Sequence, residues 1–299
     1  MHDSSQDPSQ LSSESINLSR SARSPFRNFF GIAMTTLVSI FTVLILTPLA
    51  FIIFDVAKEG IKQLGWQSFT ELPPPPGLTE GGFGHAILGT LITLAIAAAI
   101  SIPVGILAAI YMSEFARGTR IAYWIKFSAN VLTGVPAILC GLFAYSLVVL
   151  RMGSFSAFAG GVALSVLMLP IVMRTTEEGL LIVPREVREA AIGVGATNFQ
   201  TIWYIVLPAA LPAIATGITL SLARAGGEAA PLLFTALNNN FWSTDLFEPI
   251  ATLPVLIYFF AIIPFKAQQE LAWAAALVLL GIILIVSISS RLLTRQKVY

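Results

Sequence analysis

The sequence predicts an all-α membrane protein with six transmembrane helices and both termini on the inner side, and three observations lead there. Of 299 residues, 56% are hydrophobic and only 11% charged, against about 25% charged in an average soluble domain. The mean hydropathy of +0.82 agrees. Too little polar surface exists to cover such a chain in water, so lipid is the solvent for most of it. Apolar runs of spanning length then recur at 29–54, 86–112, 121–150, 155–173, 209–237 and 271–290. About 20 residues at ~1.5 Å each cross a ~30 Å hydrocarbon core. The third observation is the placement of Lys and Arg. With the N-terminus inside, the inner segments hold Arg20, Arg23, Arg27, Arg117, Arg120, Lys126, Arg174, Arg185, Arg188, Arg291, Arg295 and Lys297, and the outer ones hold only Lys58, Lys62, Arg151 and Lys266. That bias sets the orientation.

Each segment has a local reason. Met1 to Ser24 carries nine serines and no apolar periodicity, the composition of a disordered tail. The run from Phe29 to Phe54 is too long for the apolar region of a cleaved signal peptide. Pro103 and Pro136 fall inside the second and third spans and are expected to kink them. Leu253 to Pro264 is apolar over too few residues to cross, and reads as an interfacial or re-entrant segment. The outer stretch 55–84 carries Trp66, Phe69 and the rigid run Pro73 to Pro76. The outer stretch 238–270 carries Phe241, Trp242, Asp245, Phe247 and Glu248. Both read equally as docking surfaces or as caps on the bundle.

Composition also narrows the chemistry. One cysteine, Cys140, and two histidines, His2 and His85, leave no intrachain disulfide and no zinc cage, so no metal is expected. A net charge of +1 gives no argument for nucleic acid. His85 stands alone at the outer mouth of the second span, and Cys140 reads as a small core residue. No glycine-rich loop ends in Lys-Ser or Lys-Thr, so ATP would be bound and hydrolysed on another chain. No catalytic residues and no cofactor are predicted. An intramembrane enzyme working through Glu177 and Glu178 would lack a nucleophile or a metal.

Arg224 belongs to neither positive list, because it falls within the fifth span. Burying it there costs at least about 2.5–3.5 kcal/mol on insertion scales, so a partner or a purpose is required. Glu228, four residues on, shares its helix face. The pair reads either as a self-neutralising contact that helps helices pack or as an anion site. A guanidinium offers planar donors matched to phosphate oxygens and keeps its charge. Phosphate near neutral pH still carries a proton and can donate a hydrogen bond to a carboxylate such as Glu228, whereas fully deprotonated sulfate would meet that carboxylate as an unpaired acceptor. Gly226, Gly227 and Pro231 are positioned to break the helix and free backbone groups toward a water-filled path. Arg174, at the inner end of the fourth span, is a weaker candidate for the same path, since inward anchoring explains it equally well.

The inner loop 174–208 is the most informative segment. Pro184 suits a helix N-terminus, Gly193 and Gly195 end the short helix that follows, and Thr197 or Asn198 can cap a second one. Ala190 and Ala191 form a low ridge that a partner's backbone can approach, with Glu189 as a charged anchor beside it. The order Glu189-Ala190-Ala191, three residues, Gly195, nine residues, Ile205, one residue, Leu207-Pro208 resembles the EAA loop of ABC importer permeases without a departure in spacing. Leu169 to Glu178, Leu222 to Thr235, Gly81 to Gly84 and Gly134-Val135-Pro136 are similar to the PstA-type permeases of phosphate importers, and the resemblance covers about residues 80–290.

The resemblance implies a type I ABC importer permease fold in the bacterial plasma membrane. Its parts would be a tail over 1–28, a first helix over 29–54, an external loop over 55–84, the permease domain over 85–290 and an inner C-terminus over 291–299. It implies that Glu189, Ala190, Ala191 and Gly195 form the coupling helix that docks on the ATPase. The expected partners are a second, PstC-type permease, two PstB-type ATPase subunits and an external PstS-type phosphate-binding protein. Import of another oxyanion, sulfate or molybdate, is the alternative within the same class.

Overall fold

The computed structural model describes residues 25–293 apart from 76, 79 and 80. The serine-rich tail up to Ser24 lies outside the described residues, as do Pro76 and the end of the chain beyond 293. Every regular element described is helical. In order these are α1 (Pro25–Gln63), α2 (Trp66–Thr70), α3 (Gly84–Ile110), α4 (Arg120–Gly134), α5 (Ala137–Ala144), α6 (Leu150–Met152), α7 (Ala157–Ile182), α8 (Arg185–Gly193), α9 (Asn198–Thr201), α10 (Leu207–Gly226), α11 (Leu253–Ile262) and α12 (Lys266–Leu293). Single π-helical turns at Tyr111–Phe115, Tyr145–Val149 and Ile202–Val206 extend α3, join α5 to α6 and lead α9 into α10. Among the described residues five helices are long and apolar enough to cross a membrane, and the bent pair Arg120–Gly134 and Ala137–Met152 makes a sixth span if taken as one.

The chain divides into two compact units, up to Phe54 and from Asp55 onward. In the first, α1 is apolar on every side and its spanning window is unburied. Four of its hydroxyls are satisfied internally. Thr35, Ser39, Thr42 and Thr47 each donate to the carbonyl four residues earlier, which suits a helix bathed in hydrocarbon. α1 begins at Pro25, so the last residues assigned to the tail are helical, and it runs past Phe54 to Gln63 into the stretch assigned to the outer loop.

In the second unit, α3 and α7 make the tightest pairing. Ala97, Ser101, Gly105 and Ala109 recur every four residues and are all buried, a stripe of small side chains of the kind that lets membrane helices approach. Gly160 and Gly161 meet Thr93 and Ile96, and Gly105 meets Val172, so the two helices run parallel. α10 runs antiparallel to α7, with Ala213 against Gly179 and Gly217 against Thr175. α12 in turn runs antiparallel to α10: Thr219 hydrogen-bonds to Ser290, and Gly226 faces Ile283. A Cβ at Gly217 would lie 1.7 Å from Thr175 Oγ1. Gly217→Ala is therefore expected to force α7 and α10 apart and to destabilise the protein by about 1–3 kcal/mol, read as a lowered unfolding temperature in detergent.

The third span departs from a plain helix. Its halves meet at a 110° bend at Gly134-Val135-Pro136, where Pro136 removes an amide and biases Val135 to an extended backbone. It nonetheless crosses once. Lys126 in α4 pairs with Glu177 near the C-terminal end of α7, while Tyr145 after α5 packs on Phe155 just before α7 begins. Pro103, by contrast, sits in a helix unbroken from Gly84 to Ile110.

The fifth span is also corrected. It starts earlier and ends sooner than 209–237, because helix runs from Asn198 through the π turn to Gly226 and 227–231 is not helical. α11 is only ten residues long, too short to cross. It is held against α3 by the Leu253 amide donating to Thr90 Oγ1 at 2.8 Å. The stretch before it caps α7. The amides of Ser156, Ala157 and Phe158 donate to the carbonyls of Thr235, Glu248 and Leu246, and Ser156 Oγ takes the Ala159 amide. These are the helix-start donors that water cannot reach in such a buried place.

Candidate functional site: two helix breaks and an exposed loop

The two broken spans meet. α10 ends at Gly226, and the chain turns through amide bonds from Gly227 to Arg224 and from Glu228 to Ala225 into the single 3₁₀ turn Leu232–Phe234. Pro231 then lies directly against α5: a Cβ at Gly141 would come within 2.6 Å of its Cα. Ala225, Leu232 and Cys140 share one apolar cluster with Val135, Ala137 and Ala229 around it. Both breaks thus border the same place. Gly226 faces Leu94, ten residues into α3 and so about 15 Å from the start of that helix. Irregular backbone at such depth occurs where it is covered by protein or lines an aqueous path.

Arg224 occupies the last turn of α10, where a cation is favoured by the helix dipole. Its side chain is 47% exposed and Glu228 is 26% exposed, with Nε 3.9 Å from Oε1. That separation is too long for a hydrogen bond. The guanidinium makes no hydrogen bond within the described residues, so its donor fork is available to something outside this chain.

Arg174 is not brought to this place. It donates from Nε to Glu178 at 3.1 Å on an exposed face. Thr175, its neighbour, packs on Gly217, seven residues before Arg224, so Arg174 lies about 10 Å further along the bundle. Glu177 is taken by Lys126 at 3.0 Å, and both glutamates of the enzyme alternative are accounted for by ion pairs.

The loop 174–208 contains the last turns of α7, then α8, a turn and α9. Pro184 stands at the N-cap of α8, and Gly195 makes the turn at φ +95, a conformation that favours glycine. Thr197 closes a capping box with Gln200, joining the second helix through α9 and the π turn to α10 without a gap. Glu189, Ala190 and Gly195 are exposed, whereas Ala191 is buried at 6%. The outward ridge is therefore formed by Glu189 and Ala190, with Ala191 packed beneath. Beside it, Val194, Phe199, Trp203 and Tyr204 are exposed, and Phe199 stacks on Trp203 at 6.1 Å. Sequence reasoning passed over these exposed apolar side chains beside the loop 174–208. Sequence reasoning also passed over Glu114, which pairs with Arg188 from 74 residues away.

The described bundle, with its broken spans and exposed loop, has the architecture of an ABC importer permease. The membrane chain of a bacterial alginate ABC transporter superposes with a TM-score of 0.62 over 93% of this chain and 99% of that one, at 17% identity. A chain of the MetNI methionine ABC transporter gives 0.53 over 71% and 92%, at 20% identity. Residues 101–298 match the family model of binding-protein-dependent transport system inner membrane components. The phosphate transport system permease protein PstA of Yersinia pestis is 43% identical over 249 residues, 83% of this chain and 84% of that protein. PstA 1 of Mycobacterium tuberculosis is 36% identical over 256 residues, 84% of this chain and 83% of that protein. The chain belongs to the binding-protein-dependent inner membrane permeases, and within them to the PstA group.

Proposed function

We propose that this chain is one permease subunit of an ABC importer that carries inorganic phosphate across the bacterial plasma membrane. The relatives are named for phosphate transport, and the observation that carries the reading to a site is Arg224. A guanidinium without a hydrogen bond among the described residues stands in the last turn of a broken spanning helix, beside a second break, with a carboxylate at 3.9 Å. Such a group presents two parallel donors to an oxyanion, and Glu228 accepts a hydrogen bond from the hydroxyl that phosphate retains. ATP is bound and hydrolysed on partner subunits that dock on Glu189, Ala190 and the turn at Gly195. A second, PstC-type permease completes the pathway, two PstB-type ATPase subunits drive it, and an external PstS-type protein delivers the anion. ATP binding draws the coupling loops together and opens the path outward, and hydrolysis resets it.

The test is uptake of radiolabelled phosphate by proteoliposomes holding the whole complex. Uptake that requires ATP and is unaffected by excess sulfate or molybdate is expected. Preferential transport of sulfate or molybdate would overturn the choice of substrate while leaving the class intact.

Orientation is tested separately. With both termini cytoplasmic, a reporter active only outside the cytoplasm is expected to be active when fused after Gly60 or Ser243. Fusions after Arg117 or Arg188 are expected to be silent. Activity after Arg188 would invert the assignment of the coupling loop.

A further inference from the structure

α8 has two faces. Glu189 and Ala190 point outward, but Arg188 and Ala191, three residues apart on one side of the helix, face the rest of the chain. The Arg188 side chain is 15% exposed. Its Nη2 donates to Glu114 Oε1 at 3.0 Å and to the Leu180 carbonyl at 2.8 Å, and Nη1 donates to the Val183 carbonyl. Leu180 and Val183 are at the end of α7, where helix carbonyls lack intrahelical donors and a cation is favoured. Glu114, 11% exposed, sits in the π turn that ends α3. One planar guanidinium thus ties the exposed loop to the ends of the two most tightly paired spans.

We infer that the Arg188–Glu114 pair ties the loop to α3 and fixes the joint between α7 and α8, so that both are positioning residues for coupling ATP hydrolysis to transport. The inference rests on the reading that loop 174–208 receives the ATPase. The loop's other connections are the chain itself, which joins α8 to α7 through the two extended residues Val183 and Pro184 and enters α10 through the π turn Ile202–Val206. Neither runs into α3. The clamp fixes the angle at the Val183-Pro184 joint and adds the end of α3, so that the loop is held to α3 and α7 together. A buried ion pair is a poor way to gain stability, since apolar side chains of similar volume usually serve as well or better. What it supplies here is a fixed geometry: three oxygens from two helices are held by one rigid fork.

The experiment uses the whole complex in proteoliposomes and two variants. Glu114→Gln keeps the shape and removes the charge. The double change Glu114→Leu with Arg188→Met removes the pair without leaving a lone buried charge, and so guards against misfolding of the single variant. ATPase bound per permease, ATP hydrolysed and phosphate taken up are measured together. Both variants are expected to keep the ATPase and to hydrolyse ATP. Phosphate carried per ATP is expected to fall at least about tenfold, within the usual range of coupling between sites. Parental transport per ATP in an assembled variant would overturn the inference. So would loss of membrane insertion or of the ATPase in both variants, which would make the pair a structural element only. Failure of the parental complex to bind the ATPase would instead remove the docking reading beneath it.

Discussion

Arg224→Gln is expected to reduce phosphate uptake by about two orders of magnitude while the complex still assembles. Two charge-assisted hydrogen bonds to the anion, at roughly 1.5–3 kcal/mol each, amount to ~3 kcal/mol or more, and about 1.4 kcal/mol corresponds to a factor of ten. Glutamine keeps much of the bulk and some hydrogen-bonding capacity, so the change separates charge from packing. The fold has little to lose, because Arg224 is 47% exposed within this chain and holds Glu228 only at 3.9 Å. The loop 174–208, at the far end of α10, is untouched. A double variant with Glu228→Gln decides between the two roles of the pair. If the arginine merely balances the carboxylate, two neutral amides restore transport. If it meets the anion, the double variant assembles and remains inactive, since a charge crossing a region of low dielectric cannot dispense with a positive partner. Near-parental uptake by the assembled double variant would refute the direct role. The measurement is initial uptake of radiolabelled phosphate, normalised to ATPase bound.

Much of the architecture is written in local chemistry and was therefore legible. Apolar length alone marks the spans, Pro184 and Thr197 mark two helix starts in the loop, and Gly134-Val135-Pro136 marks a weak point in the third span. The extent of the distortions was not legible. Proline shows where a helix loses an amide, yet Pro103 is absorbed within α3 while Pro136 accompanies a 110° bend. The difference lies in the surroundings: near Pro136, Gly141 brings α5 onto Pro231, a contact between residues 90 positions apart in sequence. The end of the fifth span was misplaced for a similar reason. Ala229, Leu232 and Leu233 continue the apolar run past Gly227, but that apolarity serves the cluster beside Cys140 and not a helix facing lipid. A single sequence also gives no account of which alanine of Ala190-Ala191 faces outward, because that depends on where α8 rests on the bundle.

The site was legible in its members and less so in its geometry. Arg224 and Glu228 announce themselves by charge in an apolar run, and their four-residue spacing places them on one face. That they stand beside the break in the third span required the fold. Glu114 shows the opposite limit. It ends an apolar run as any carboxylate at the end of a span would, and only the approach of α8 gives it Arg188.

Ala190→Trp is expected to abolish docking of the ATPase. Ala190 is exposed on α8, whereas Ala191 beside it is buried at 6%; the indole would therefore project from the surface without disturbing the packing beneath. Within the permease the change is worth no more than about 0.5 kcal/mol, as for surface substitutions in general. At an interface the same bulk is prohibitive. Close approach of two backbones over a small side chain leaves no room for an indole, and overpacking costs about 1–3 kcal/mol even where neighbours can adjust. Retention of the ATPase on the purified permease pair is expected to fall at least about tenfold, on the scale of 1.4 kcal/mol per factor of ten, and uptake is expected to fall with it. Membrane insertion and the unfolding temperature of the permease should stay near parental values. Ala191→Trp provides the contrast, since it drives the ring into the chain and should lower that temperature whether or not the ATPase is present. Undiminished retention with normal uptake in Ala190→Trp would mean that the ATPase binds elsewhere. The exposed patch of Val194, Phe199 and Trp203 would then be the first surface to examine.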